Sequence, residues 1–234
     1  MADDAGAVGD LAAGDFAAWL SVLEEAVDGR GDSDVPCGGC TACCRSSQFI
    51  NIAPEETDTL AHIPRALRFP APGRPVGHVL LGYDDDGACL MLIDDRCSIY
   101  DHRPRSCRVY DCRVITAAGV ELDEPTKGAV AERARRWRFS YADDADRHRH
   151  GAVEAAAGFL LAHPEVLPDD LAHLPPTQLA VLAIEVHRVF LRVDDETNQL
   201  VAARPSSAIV RATVEARTGR RKVTDSLRPR LGHQ

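Results

Sequence analysis

At 234 residues, the chain is long enough for one or two domains with a hydrophobic core. Its apolar share of 45% and charged share of 27% are typical of a globular protein, and no apolar run reaches the ~18 residues of a membrane span. The net charge of −9 is an N-terminal feature, since residues 1–36 carry nine acidic side chains and one basic one. Because neither later part of the chain is basic, we expect no nucleic-acid partner.

The first residues lack the basic and continuous apolar segments of a secretory signal. We therefore expect a cytoplasmic protein with no membrane association. Disulfides are rare in that reducing compartment, so a dense group of cysteines there indicates metal binding or redox chemistry.

The first predicted element is an amphipathic helix over residues 11–27, in which Phe16, Trp19, Leu20 and Leu23 recur at helical spacing before glycines end it. A short strand is expected at residues 49–52. A helix is expected to start at residues 53–56, with proline in its first turn and acidic residues after it.

Two further strands are expected at residues 78–83 and 88–92, joined by a hairpin turn at residues 84–87. Beyond residue 113 cysteine is absent, and helical patterns appear at residues 153–163, 179–190 and 207–217. His148 and His150 are expected on a solvated helical face. The pattern predicts an α+β fold with three parts, an acidic N-terminal helix (1–36), a loop-rich, metal-bound cysteine domain with short strands (37–113) and a mainly helical C-terminal region (114–234).

All eight cysteines fall within the middle part of the chain. Four of them stand close together in the sequence CGGCTACC, and scattered structural cysteines would not segregate in this way. Cys-x-x-Cys turns direct two thiolates at one ion, and zinc or an iron–sulfur cluster usually takes four such ligands. The candidate metal ligands are Cys37, Cys40, Cys43, Cys44, Cys89, Cys97, Cys107 and Cys112.

The spacing leaves several arrangements open. Eight thiols suit two four-cysteine sites, or one site with spare thiols. The opening Cys-x-x-Cys-x-x-Cys spacing is that of bacterial ferredoxins, but the next cysteine follows at once instead of after three residues. Since neighbouring cysteines do not readily face the same ion, Cys43 and Cys44 either face different metals or leave one thiol for chemistry.

Other side chains near the cysteines are candidates for supporting roles. Guanidinium groups beside thiolate sites can offset negative charge and donate hydrogen bonds to sulfur, although ordinary surface arginines would look the same in sequence. His102 is a candidate alternative metal ligand. The arginines in question are Arg45, Arg96, Arg103, Arg105, Arg108 and Arg113.

These motifs resemble the YkgJ-type cysteine-cluster family. The stretches CGGCTACC, GACLML and CSIYDHRPRSCRVYDC are similar to its pattern of Cys-x-x-Cys-x-x-Cys-Cys, Gly-x-Cys and a final Cys-x-Ile-Tyr-x-x-Arg-Pro-x-x-Cys-Arg-x-aromatic-x-Cys, over residues 37–112. The resemblance implies zinc or iron chelation by the eight cysteines. Gly87, Tyr100, Arg103, Pro104 and Arg108 occupy other motif positions.

Three functions remain open at this stage. The leading hypothesis is a cytoplasmic protein that binds zinc, iron or an iron–sulfur cluster. The second is a metal-dependent protein-modifying enzyme, because the family includes flagellin lysine N-methylases, or a redox protein; the chain shows no nucleotide-binding, zinc-protease or hydrolase motif. The third is a zinc-stabilised interaction module with a protein partner, docked through its acidic N-terminus and basic C-terminus.

Overall fold

The computed structural model describes residues 9–33, 35 and 37–227. Residues 1–8 of the acidic N-terminus and residues 228–234 of the basic C-terminus, both proposed as docking segments, lie outside the described residues. The described chain mixes helices with short strands, and its C-terminal part is mainly helical, so the predicted α+β class is confirmed.

The chain divides into two compact units. The first, the thiol unit, comprises Met1–Arg113 and Glu121–Ser140 and contains all eight cysteines. The second, the helical unit, comprises Val114–Val120 and Tyr141–Gln234. A segment C-terminal to the cysteines therefore belongs to the thiol unit.

The N-terminal helix begins later than its sequence pattern predicts. Residues Leu11–Asp15 form strand β1, and helix α1 spans Phe16–Val27. Asp15 caps the helix by accepting a hydrogen bond from the Ala18 N–H at 3.0 Å. The predicted apolar face is correct, because Phe16, Trp19, Leu20 and Leu23 are buried.

Strand β1 pairs in parallel with strand β7 (Trp137–Ser140), which lies far along the sequence. The rings of Phe16 and Trp19 on α1 pack against Phe139 on β7, with centroids 5.1 and 4.7 Å apart. Strand β1 has only five residues, so any alternation of apolar and polar side chains along it is too short to outweigh the helical pattern that follows. The pairing therefore had no local signal in the sequence.

The thiol unit contains a small three-stranded sheet of order β2-β4-β3, in which both neighbouring pairs are antiparallel. Strands β2 (Ile50–Ile52), β3 (Arg68–Pro70) and β4 (Val79–Leu81) form it, and β2 confirms the strand predicted at residues 49–52. The buried core here consists of Ile52, Ile63, Leu81, Met91 and Ile99.

The turn predicted at residues 84–87 is confirmed, but the strand after it is not. Tyr83 and Cys89 form an antiparallel bridge, and the Asp84 carboxylate accepts a hydrogen bond from the Ala88 N–H at 2.8 Å. Regular pairing resumes only in strands β5 (Leu92–Ile93) and β6 (Arg96–Cys97).

Helix α2 spans Thr57–His62 and so begins one residue after the predicted start at residues 53–56. Instead of entering the helix, Glu56 accepts a hydrogen bond from the Ala53 N–H at 2.9 Å, closing a turn before it. Short helices α3 (Arg105–Arg108) and α4 (Arg113–Ala117) follow the strands, and α5 spans Gly128–Arg135.

The helical unit contains the longer helices that the sequence predicts. Helices α6 (Asp144–Ala162), α7 (Pro176–Val186) and α8 (Ser207–Leu227) include all or most of the three patterned segments, and a 3-10 turn continues α7 over His187–Phe190. The prediction is incomplete, because strands β8 (Leu191–Val193) and β9 (Leu200–Ala202) form an antiparallel pair in this region.

The prediction of a solvated helical face for His148 and His150 is wrong, because both residues are half-buried. His148 Nδ1 lies within hydrogen-bond distance of the Leu200 carbonyl oxygen, and the His150 side chain is only 14% exposed. His150 Nδ1 lies 2.6 Å from the Tyr141 hydroxyl oxygen. Within the described residues, no helix is both long enough and apolar enough to cross a membrane.

Candidate metal centre

All eight cysteines are free thiols in the thiol unit. Seven are half-buried and the Cys43 residue is exposed. They lie on turns, short strands and short helices. Hydrogen bonds within and between these turns, more than long regular elements, therefore position the thiols.

The first four thiols follow one another through two tight turns. The Cys40 N–H donates to the Cys37 carbonyl oxygen at 3.0 Å, closing the Cys-x-x-Cys turn. A 3-10 turn spans Cys43–Arg45, and the Ser46 hydroxyl donates to the Cys43 carbonyl oxygen at 2.8 Å. These turns provide the backbone bend that neighbouring cysteines need.

The Gly-x-Cys motif brings Cys89 to this turn. The Cys89 N–H donates to the Cys44 carbonyl oxygen at 2.7 Å, and the Ser47 N–H donates to the Gly87 carbonyl oxygen at 3.0 Å. Gly87 has a φ of +79°, and a Cβ there would lie 2.4 Å from Ser47 Oγ. The positive φ favours glycine here, and a side chain would also displace the Ser47 hydroxyl between the two turns.

The final motif builds the turns that carry Cys97 and Cys107. Cys97 lies on β6, and Cys107 lies on α3, where its N–H donates to the Pro104 carbonyl oxygen at 2.8 Å. The Arg103 guanidinium stacks on the Tyr100 ring, 3.7 Å from its centroid. Thus Tyr100, Arg103 and Pro104 shape the segment between two thiols.

Cys112 is held by charged residues on both sides. Asp111 and Arg113 form a buried ion pair at 2.7 Å, with side chains 0% and 8% exposed. Asp111 also accepts hydrogen bonds from Trp19 Nε1 at 2.9 Å and from the Ser33 hydroxyl at 2.8 Å. This network fixes the backbone of Cys112 against the α1 and β1 region.

Two residues missed in the sequence contact the thiol region from beyond the cysteine motifs. The Trp137 indole N–H donates to Cys112 Sγ at 3.2 Å. Arg133 lies over the Trp137 ring, 4.9 Å from its centroid, and donates to the Cys37 carbonyl oxygen at 3.4 Å. The only sequence signal was a tryptophan following an arginine-rich helix, which does not by itself indicate a thiol contact.

The predicted arginines have mixed roles. Arg45 pairs with Asp95, Arg108 with Asp32 and Arg113 with Asp111, so these three bind carboxylates. The charge of Arg103 lowers the pKa of Cys37 and of Cys107 against the larger opposing effects described below. A supporting electrostatic role for arginine is therefore seen at Arg103, and at Arg133, which acts likewise on Cys37.

Electrostatic effects on the thiol pKa values place six of the eight thiols in two groups. Burial raises the pKa of Cys112 to about 12, and Cys37 and Cys40 add to the increase. Burial likewise raises the pKa of Cys37, with contributions from Cys43 and Cys40. We call Cys37, Cys40 and Cys112 the first thiol group.

The second thiol group consists of Cys89, Cys97 and Cys107. Burial raises the pKa of Cys107 to about 12, with further contributions from Cys43, Cys89 and Cys97. Burial also raises the pKa of Cys89, and Cys97 and Cys43 raise it further. Cys43 thus interacts with both groups, and a hydrogen bond with Cys44 is the main cause that raises its own pKa.

This donor set fits a metal ion. Half-buried thiols that oppose one another's ionisation lose protons readily only when a cation compensates the charge, and zinc and iron both favour thiolate ligands. Within the described residues, no three of these sulfur atoms all lie within 4.8 Å of one another. Four sulfurs around one zinc ion are about 3.8 Å apart, so the side chains would have to draw closer around an ion.

The geometry defines a thiol-rich unit with the donors of a metal-binding domain. Residues 36–131 match a family model described as "CxxCxxCC: Putative zinc- or iron-chelating domain". This match over residues 36–131 confirms the resemblance found in the motifs of the chain. The match covers less than half of the chain and ends before Arg133 and Trp137. No curated protein and no solved structure matches the chain.

Proposed function

We propose that the thiol unit binds zinc or iron through its eight cysteines and that this metal centre stabilises the unit. The observation that carries the proposal is that eight free thiols, seven of them half-buried, lie in the thiol unit. Burial raises the pKa of Cys37, Cys89, Cys107 and Cys112, and neighbouring thiols raise each of these pKa values further. A bound cation would remove that repulsion and favour the folded arrangement.

We assign the first thiol group to one part of the centre and the second thiol group to another. Cys43 interacts with both groups, so it is the candidate for a thiolate shared between them, and Cys44 is the candidate eighth ligand. The metal would supply charge compensation and, if it is iron, electron transfer. The Trp137 N–H would stabilise the thiolate of Cys112.

The raised thiol pKa values argue against a nucleophilic thiol in the metal-free protein. Reactive cysteines have a lowered pKa, because the thiolate is the nucleophile. Every resolved shift here raises the pKa, at Cys37, Cys43, Cys89, Cys107 and Cys112. The pattern does not bear on the alternative of a metal-dependent protein-modifying enzyme that acts through an open metal position.

The test is elemental analysis and absorption spectroscopy of the full chain, purified without oxygen. We expect tightly held zinc or iron, reduced by each single Cys→Ser change in the two thiol groups. Iron with acid-labile sulfide would identify an iron–sulfur cluster, and colourless protein with zinc would identify zinc thiolate sites. Met91→Leu, a volume-conserving change in the adjacent core, is the matched control and is expected to keep the metal. Protein that lacks metal and still has the same fold would contradict the proposal.

The Cys43→Ser and Cys44→Ser variants give a sharper test of the assignment. If Cys43 is shared, its replacement lowers metal content in both thiol groups, whereas the Cys44 change affects one site only. Equal metal loss in both variants would contradict the shared role of Cys43.

A further inference from the structure

Two histidines and one aspartate form a cluster on the surface of the thiol unit that the cysteine motifs do not include. Asp58, His62 and His102 each offer a ligand atom, and these atoms all lie within 4.8 Å of one another. The family pattern leaves the position of His102 open, and the other two residues lie between its motifs. The cluster is thus separate from the thiol ligands.

The spacing of Asp58 and His62 along the sequence accounts for two of the three residues in the cluster. Asp58 and His62 lie four residues apart on α2, so they share one face of the helix. His102 comes from the 3-10 turn Tyr100–His102. Contact between these two elements therefore creates the cluster.

The two elements are held together beneath the cluster. Ile63 follows His62, and Ile99 precedes the turn that carries His102. Both isoleucines belong to the same buried core. The buried Thr59 hydroxyl donates to the Arg103 carbonyl oxygen at 3.4 Å. The positions of His62 and His102 are consequently set by packing and not by their surface contacts alone.

The ring nitrogens face the aspartate. His102 Nδ1 lies 2.7 Å from Asp58 Oδ2. His62 Nδ1 lies 2.9 Å from the Asp58 backbone carbonyl oxygen and 3.8 Å from Asp58 Oδ1. The two imidazole rings are nearly parallel, with an interplanar angle of 7° and centroids 3.5 Å apart. Two imidazoles and a carboxylate from two different elements thus present their donor atoms to one small volume.

We propose that Asp58, His62 and His102 bind a divalent transition-metal ion of the kind that imidazole prefers, such as zinc. Two imidazole nitrogens and a carboxylate oxygen are typical zinc ligands, and sites with three protein ligands complete their coordination with water. The Asp58 side chain is 71% exposed and those of the histidines are 42% and 38% exposed, so water reaches the site. An ion bound through both Nδ1 atoms replaces two hydrogen bonds, that of His102 with the Asp58 carboxylate and that of His62 with the Asp58 backbone carbonyl oxygen.

The experiment uses full-length protein whose thiol metal content has been measured, followed by titration with Zn²⁺ alone. Imidazole NMR resonances report which histidines bind, and a competing chelator gives the dissociation constant. We expect the resonances of His62 and His102 to shift together. The His62→Ala and His102→Ala variants should each weaken this binding at least ~10-fold, since loss of even an outer ligand partner costs about 10- to 100-fold.

His78→Ala is the matched control, because His78 lies in the same unit but beside Asn51, outside the cluster. It should bind the additional zinc as the parent protein does. The cysteine-bound metal should be unchanged in all three variants, which separates this site from the thiol centre and verifies folding. Equal binding by the parent protein and His62→Ala, or equal shifts at His78, would overturn the proposal.

Discussion

Helix α6 alone buries five apolar side chains, whereas strands β2 to β6 in the cysteine-containing segment are each two or three residues long. The buried residues of α6 are Ala152, Val153, Ala156, Ala157 and Leu160. In the thiol unit, strands β2 to β6 contain two or three residues each, and Cys89 and Cys97 pack at the edge of the buried core there. The helical unit is therefore expected to depend on apolar packing, whereas under our proposal the region around the thiols also depends on metal binding.

Metal removal should produce the largest difference between the units. Structural zinc contributes about 10–16 kcal/mol to the folding of small zinc domains, more than the stability of most whole domains. A chelator strong enough to strip the thiols should therefore abolish hydrogen-exchange protection in residues 37–112 and leave α6 and α7 protected. Mass spectrometry of exchanged peptides measures both regions at once. Unchanged protection around the thiols would remove the distinction between the units.

Asp111→Ala should have the next largest effect, and within the thiol unit only. The change leaves the buried Arg113 guanidinium without the Asp111 carboxylate, which typically costs about 3–5 kcal/mol. Denaturant unfolding of the metal-loaded protein measures the loss. The control is Asp32→Ala, which removes the exposed pair with Arg108 and should cost about 0–1 kcal/mol. Similar losses in both variants would show that the network around Cys112 is not important for stability.

Ile184→Ala tests the apolar side of the comparison. Ile184 is fully buried on α7, so we expect the free energy of unfolding of the helical unit to fall by about 2–5 kcal/mol. The metal content of the thiol unit should not change. Ile184→Val, which removes less volume, should cost about 0.5–1.5 kcal/mol. Loss of metal in the alanine variant would mean that the two means of stabilisation are not independent.

Trp137→Phe tests whether residues beyond the cysteine motifs tune the metal centre. Loss of the N–H that donates to Cys112 Sγ should weaken metal binding by about 10- to 100-fold, as for other outer-shell partners. Competition with a chelator of known affinity measures the change. Phe139→Leu alters a ring on the same strand that packs on Trp19, and metal affinity should be nearly unchanged. Equal affinities of Trp137→Phe and the parent protein would contradict the role of the indole.

The smallest expected effect is a pH dependence in the helical unit. Burial lowers the pKa of His150 below its ordinary value of 6.5. Below pH 6.5 the unfolded chain therefore binds more protons than the folded chain, so the free energy of unfolding should fall as the pH decreases through that value. His150→Gln should reduce this fall, as measured by denaturant unfolding above and below pH 6.5. An identical pH dependence in the variant would exclude His150 as its cause.

Local patterns predicted some elements of the structure and failed at others for identifiable reasons. The periodicity of Leu179, Leu182 and Val186 correctly predicted helix α7. The prediction succeeded because these residues lie on the buried side of the helix. The same reasoning wrongly extended helix α1 over Leu11–Asp15, which form strand β1. The sequence of this segment does not indicate that its partner strand lies more than a hundred residues away. Long-range pairing is decided by tertiary structure rather than by local pattern.

In the candidate site, too, local sequence patterns were predictive and long-range contacts were not. The cysteine spacing identified the candidate ligands, and Gly87 was recognised as a motif position before the structure gave its reason, the close approach to Ser47. The contact of Trp137 with Cys112 and the meeting of His62 with His102 depend on how separate segments pack. Spacing along a chain carries no direct information about such contacts.

The pairing of β1 with β7 has a consequence for synthesis on the ribosome. All eight cysteines are translated before Trp137, and β1 has no partner strand until Ser140 has been added. Translation proceeds at about 5–20 residues per second. The nascent chain therefore carries these thiols for seconds before it includes Trp137, whose indole N–H donates to Cys112 Sγ. Metal delivered during that interval would meet an open set of thiols, and strand β7 would close over Cys112 as a late event in maturation.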